Sequence, residues 1–147
     1  KNGKDVLSFL FSANKGGQFG ELKKVASGGE LSRIMLAIKK VMSENSQLPT
    51  IIFDEIDSGV SGEISNKMAH IMSQMSQQMQ VITITHLPQI AAKGNQHYKV
   101  YKEEVNNTTT TNLKQLSEDE RIVEIAEMLS GKNISDSALT HARELLN

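Results

Sequence analysis

Thr50-Ile51-Ile52-Phe53 is a continuous apolar run that ends on two carboxylates, Asp54 and Glu55. Alternating polarity would mark a strand with one wet face, whereas an unbroken run predicts a strand covered on both faces, as in a parallel sheet. A β-branched run, Val81-Ile82-Thr83-Ile84-Thr85, follows later in the chain. Parallel strands need a long crossover. Here it is supplied by Ile64, Met68, Ile71, Met72, Met75 and Met79, at helical spacing behind the turn Ser58-Gly59-Val60-Ser61-Gly62. The methionines read as core filler, adaptable in shape, and not as a ligand surface.

Upstream, Leu31, Ile34, Met35, Ile38, Val41 and Met42 form the stripe of an amphipathic helix that ends before Pro49. Residues 5–11 read as a further strand, followed by the turn formers Ser12-Ala13-Asn14-Lys15-Gly16-Gly17. The order strand, helix, strand, helix, strand predicts right-handed βαβ crossovers and an α/β fold with a mainly parallel sheet flanked by helices. Beyond His86, residues 87–93 fit a short helix, and residues 98–102 and 109–116 a hairpin around Val105-Asn106-Asn107. Ile122, Ile125, Ala126 and Leu129, then Ala138, Leu139, Ala142, Leu145 and Leu146, predict two C-terminal helices over 119–129 and 136–146.

With 147 residues, 38% of them hydrophobic and 22% charged, the chain suits one folded domain or part of one. The absence of Cys excludes disulfides, a Cys-ligated zinc site and a thiol nucleophile, and fits a cytosolic setting. A net charge of −1 gives no bulk reason to propose a nucleic-acid or membrane partner. Basic residues are in excess over 1–50, where Lys15, Lys23, Lys24, Lys39 and Lys40 leave room for a DNA-facing patch but read first as solvated surface. Acidic residues are in excess over 101–147, where Glu118-Asp119-Glu120 reads as a solvated helix start. No apolar window is long enough to cross a membrane, and the first residues do not form a signal peptide, so a cytoplasmic chain is expected.

Asp54 and Glu55 at a strand's carboxyl end stand where open α/β sheets bind ligands, although acidic residues there also simply solvate a strand terminus. Thr85-His86 sets an imidazole at the end of the neighbouring strand. His70, His97 and His141 have no comparable setting and read as surface or packing residues. Ser27-Gly28-Gly29-Glu30 precedes the first amphipathic helix, where backbone N–H groups, a hydroxyl and the helix dipole can hold an anion. Taken alone, it reads better as an N-cap with an acidic first turn.

Taken in order, residues 26–33 (ASGGELSR), 51–55 (IIFDE), 56–59 (IDSG) and Thr85-His86 resemble the signature, Walker B, D-loop and switch-histidine motifs of ABC-type ATPases. The longer stretches VASGGELSRIMLAIK, IFDEIDSGVSG and ITHLPQIAA, with the hairpin and the terminal THARELL, look like the RecN family of bacterial DNA-repair proteins. These are relatives of the structural-maintenance-of-chromosomes (SMC) proteins, and the resemblance covers essentially the whole chain. It implies a P-loop NTPase-like ABC ATPase head that uses ATP and Mg²⁺. By position, it assigns Asp54 to Mg²⁺, Glu55 to the attacking water and His86 to the γ-phosphate. Ser27, Gly28 and Gly29, with Glu30 beside them, would serve the nucleotide bound by the opposite subunit, and Asp57 would lie at the dimer interface.

One departure stands out: a phosphate-cradling GxxxxGK[ST] loop is missing, since neither Gly16-Gly17 nor Gly28-Gly29 is followed by Lys-Ser or Lys-Thr. Residues 1–147 therefore look like the carboxyl-terminal part of a head, lacking half of its own nucleotide site and inactive alone. The implied partners are the amino-terminal half of the same head, a second head in a homodimer, and DNA for the full-length protein, in the cytoplasm and on the nucleoid. The implied function is ATP binding and hydrolysis in recombinational repair of double-strand breaks, with ATP-dependent head dimerisation. Other readings are a dimerisation module that supplies the signature segment in trans without turnover, the head of another ABC-type ATPase such as a transporter, and a helicase with Asp54-Glu55-Ile56-Asp57 as its DExD box. The SGGE helix argues against the helicase. Truncation also predicts exposed apolar surface and self-association.

Overall fold

In the structure, a computed structural model, residues 3–45, 48–105 and 108–147 are described. The apolar runs become strands β3 (Thr50–Asp54) and β4 (Gln80–Ile84), paired in parallel with Thr50 opposite Gln80 and Asp54 opposite Ile84. Helix α3 (Glu63–Met75) crosses between them and buries Met68, Ala69, Met72 and Met75. These meet Leu36 of helix α2 (Gly28–Asn45), Phe53 of β3 and Ile90 of the short helix α4 (Pro88–Ala92) in one core. Ile64, expected on the same stripe, is exposed in the first turn of α3.

The sheet differs from expectation in two ways. Residues 5–11 do not join β3 and β4: only β1 (Leu10–Phe11) forms there, antiparallel to β2 (Gly20–Glu21), with the single-turn helix α1 (Leu22–Val25) packed on both. The described residues thus hold three separate two-stranded sheets, of which only β3–β4 is parallel, so the sheet structure is not mainly parallel. Nor is β3 covered on both faces. Phe53 is buried and Ile51 half-buried against the core, but Ile52 is 62% exposed, and Ile82 and Ile84 of β4 share its open face at 41% and 53%. An unbroken apolar run reports what a strand can be covered by, and within these residues only one face has its cover.

The later elements follow the sequence closely. Strands β5 (Tyr98–Val105) and β6 (Thr108–Gln115) pair antiparallel, with Tyr98 opposite Gln115; the expected turn at Asn106-Asn107 lies outside the described residues. Helix α5 (Glu118–Ser130) starts with a capping box: Ser117 accepts from the Glu120 amide, and the Glu120 carboxylate accepts from the Ser117 amide at 3.0 Å. It packs on α6 (Asp136–Leu146) in a second core centred on Ile125, Ala126, Ala138 and Ala142. Arg121 of α5 donates to the carbonyls of Ala92, Gly94 and Asn95, closing the end of α4 and joining the two cores. No helix among the described residues is long and apolar enough to cross a membrane.

Candidate functional site

The parallel register of β3 and β4 brings their carboxyl ends side by side. Asp54, the last residue of β3, is exposed beside the exposed Glu55, whose amide donates to the Ile84 carbonyl at 3.1 Å. Glu55 has φ +47°, a left-handed conformation that is uncommon for a residue other than glycine. The chain then turns sharply. The Ser58 amide donates to the Glu55 carbonyl and the Val60 amide to the Asp57 carbonyl, both at 3.1 Å, and Gly59 (φ +73°) and Gly62 (φ +58°) supply the left-handed positions that lead into α3.

Asp57 is fully buried, not at the surface where an interface residue would be expected. Its Oδ2 accepts a hydrogen bond from the Thr85 hydroxyl and stands 4.0 Å from His86 Nδ1, beyond hydrogen-bonding distance. The His86 side chain is mainly exposed just past β4. Asp54, Glu55, Asp57 and His86 are thus gathered at one end of the β3–β4 pair. Thr85 is the residue that sequence reasoning passed over, since its hydroxyl matters only once β3 and β4 are in register.

The Ser27–Glu30 segment forms the start of α2. Ser27 and Glu30 bond to each other: the Ser27 amide and hydroxyl both donate to Glu30 Oε2 at 2.8 Å, and the Glu30 amide donates to Ser27 Oγ at 3.3 Å. These bonds from Ser27, aided by Arg33, hold the Glu30 carboxyl below its ordinary range. Ser27 and Gly28 are exposed, and space around Gly28 is open. Gly29 has a tighter setting, because a Cβ there would lie 3.3 Å from the Gly59 carbonyl oxygen and 3.6 Å from that of Ser58. The start of α2 therefore rests on the turn that carries Asp57. Among the described residues, Ser27 and Glu30 make no hydrogen bond to Asp54, Glu55 or His86.

A groove of about 400 Å³ runs between α2 and β3, lined by Leu31, Met35, Lys39, Ile52, Asp54 and Glu55 among others. No group of three or more His, Cys, Asp or Glu side chains able to hold a metal occurs among the described residues. Two exposed carboxylates at a strand end are hard oxygen donors. They suit a cation such as Mg²⁺, which takes one or two protein carboxylates and fills its remaining positions with water and phosphate oxygens. The residues present fit that group.

No protein-family model matches the chain. It is 45% identical over 146 residues, 99% of its length, to the DNA repair protein RecN of Bacillus subtilis, and 48% identical over 142 residues, 97% of its length, to that of Deinococcus radiodurans. It spans 25% and 24% of those proteins, about a quarter of the curated relatives it matches. The solved Smc head domain with a coiled coil and joint from Pyrococcus yayanosii has a similar fold, with a TM-score of 0.63 at 20% identity, over 78% of this chain and 21% of that one. The chain is thus RecN-like along essentially its whole length, on the fold of an Smc head.

Proposed function

We propose that residues 1–147 are the carboxyl-terminal part of an ABC-type, SMC-like ATPase head in a RecN-like protein, which binds and hydrolyses ATP in the recombinational repair of DNA double-strand breaks. The observation that carries this reading is the shared end of β3 and β4. Exposed Asp54 and Glu55 lie there in parallel register beside the strand that delivers His86, joined by the bond from the Glu55 amide to the Ile84 carbonyl. Asp54 would hold Mg²⁺, which when bound neutralises charge on the transferring phosphoryl group. Glu55 would orient the attacking water and accept its proton, and His86 would donate a hydrogen bond to the γ-phosphate. Gly28 and Gly29 sit in the first turn of α2, where amides lack intrahelical acceptors, and with Ser27 they would meet the nucleotide of a second head. Glu30 would have to release Ser27 for that contact.

The phosphate loop would come from the amino-terminal half of the same head, and two such heads would form the working homodimer. The open face of β3 and β4, with Ile52, Ile82 and Ile84 uncovered, fits the place where that half packs. DNA would be a partner of the full-length protein in the cytoplasm, on the nucleoid. Light scattering on the head reassembled with a phosphate-loop segment, carrying Glu55→Gln to trap the bound state, tests the proposal. A mass that doubles on adding Mg²⁺ and ATP is expected, and a mass that ignores nucleotide would contradict it.

A further inference from the structure

We propose that Asp57 and Thr85 form a positioning pair that sets the backbone on both sides of His86, and that turnover depends on the Thr85 hydroxyl. This inference rests on the functional reading above. Asp57 has no exposure at all, although its neighbours Ser58 and Gly59 are exposed. Burying an acidic side chain is costly unless hydrogen bonds compensate. The compensation comes from the other strand: Thr85 donates its hydroxyl proton to Asp57 Oδ2, and the same hydroxyl oxygen accepts from the Leu87 amide at 3.0 Å. One hydroxyl therefore ties the residues before and after His86 to a single buried carboxylate.

The opposite oxygen, Asp57 Oδ1, has no hydrogen-bond partner among the described residues. A carboxylate kept buried with one oxygen unpaired is a poor device for stability alone, because an apolar side chain would fill the space at less cost. Its effect is geometric. Asp57 lies two residues after Glu55 in the turn closed by the Glu55–Ser58 and Asp57–Val60 backbone bonds, so the pair fixes the turn after Glu55 relative to the strand end that carries His86. The His86 side chain itself stays 66% exposed, free to meet a ligand on a backbone that is held. Thr85 and Asp57 touch no reacting atom in this account and act through His86.

The test measures kcat and KM for ATP in the full-length protein that carries this chain, comparing Thr85→Val, which keeps shape and removes both bonds, with Thr85→Ser, which restores the hydroxyl. Thr85→Val is expected to lower kcat at least about tenfold with KM within about twofold, and Thr85→Ser to stay within about twofold of the parent, as small misplacements of a catalytic group have effects of that order. Three outcomes would overturn the pair: a fully active Thr85→Val, a Thr85→Ser as impaired as Thr85→Val, or a Thr85→Val protein that loses nucleotide binding or folding along with turnover. Glu55→Gln in the same assay separates the two levels. If Glu55→Gln still hydrolyses ATP, the functional reading fails; if it is inactive while Thr85→Val is not, only the positioning pair fails.

Discussion

Among the candidate site residues, Glu55 is the one held in a left-handed backbone conformation. A left-handed backbone costs a residue with a Cβ about 1–2 kcal/mol. The structure holds it there between the Ile84 carbonyl, which its amide reaches, and the Ser58 amide, which its own carbonyl accepts. Glu55→Gly is therefore expected to be about 1 kcal/mol more stable than Glu55→Ala by urea denaturation, and equal stabilities would contradict strain at this position. The residue types at the strand ends were legible in the sequence because Asp54-Glu55 and Thr85-His86 follow apolar runs directly. The strain at Glu55, the burial of Asp57 and the use of Thr85 were not, because each depends on which residue of β4 faces which residue of the 54–60 turn.

At the scale of elements, the helices, the parallel β3–β4 pair and the β5–β6 hairpin were legible, whereas the place of residues 5–11 and the cover of β3 were not. Helix stripes and caps are local: α3, α5 and α6 lie within a residue or two of their apolar patterns, apart from the end of α3, where Met79 is buried beyond the last turn. Strand coverage is not local, which is why Ile52 reads as buried in sequence and is exposed in the fold. The hairpin is held to α5 by Lys99, which meets Glu124 and Glu127, and by Lys114, which meets Glu120. These carboxylates hold both ammonium groups above their ordinary range. His97, half-buried beside them, responds the other way. Burial holds its imidazole below the ordinary value of 6.5, Glu124 opposes this, and Arg121 and Lys99 add to it. A histidine depressed in the folded state contributes stability that is present above its unfolded pKa and lost as pH falls through its folded pKa. Denaturation midpoints are thus expected to fall between about pH 7.5 and 5.5. They should fall less in His97→Gln; an unchanged slope would remove His97 as the cause.

At the scale of the whole molecule, the chain leaves apolar surface uncovered. Its two cores are joined through Arg121, yet the face of β3 and β4 carrying Ile52, Ile82 and Ile84 is open, and Val6, Leu7, Phe9 and Phe19 near the amino terminus are exposed. Exposed apolar surface of this kind drives association. Sedimentation of the isolated chain should show concentration-dependent self-association that Ile52→Lys weakens without loss of helical signal. A strictly monomeric parent chain would contradict the open face. The most direct measurement of the central claim is ATP hydrolysis by this chain alone, by its mixture with a phosphate-loop segment, and by the same mixture carrying Glu55→Gln. The account predicts turnover only in the unsubstituted mixture; robust hydrolysis by the chain alone, or by the Glu55→Gln mixture, would contradict it.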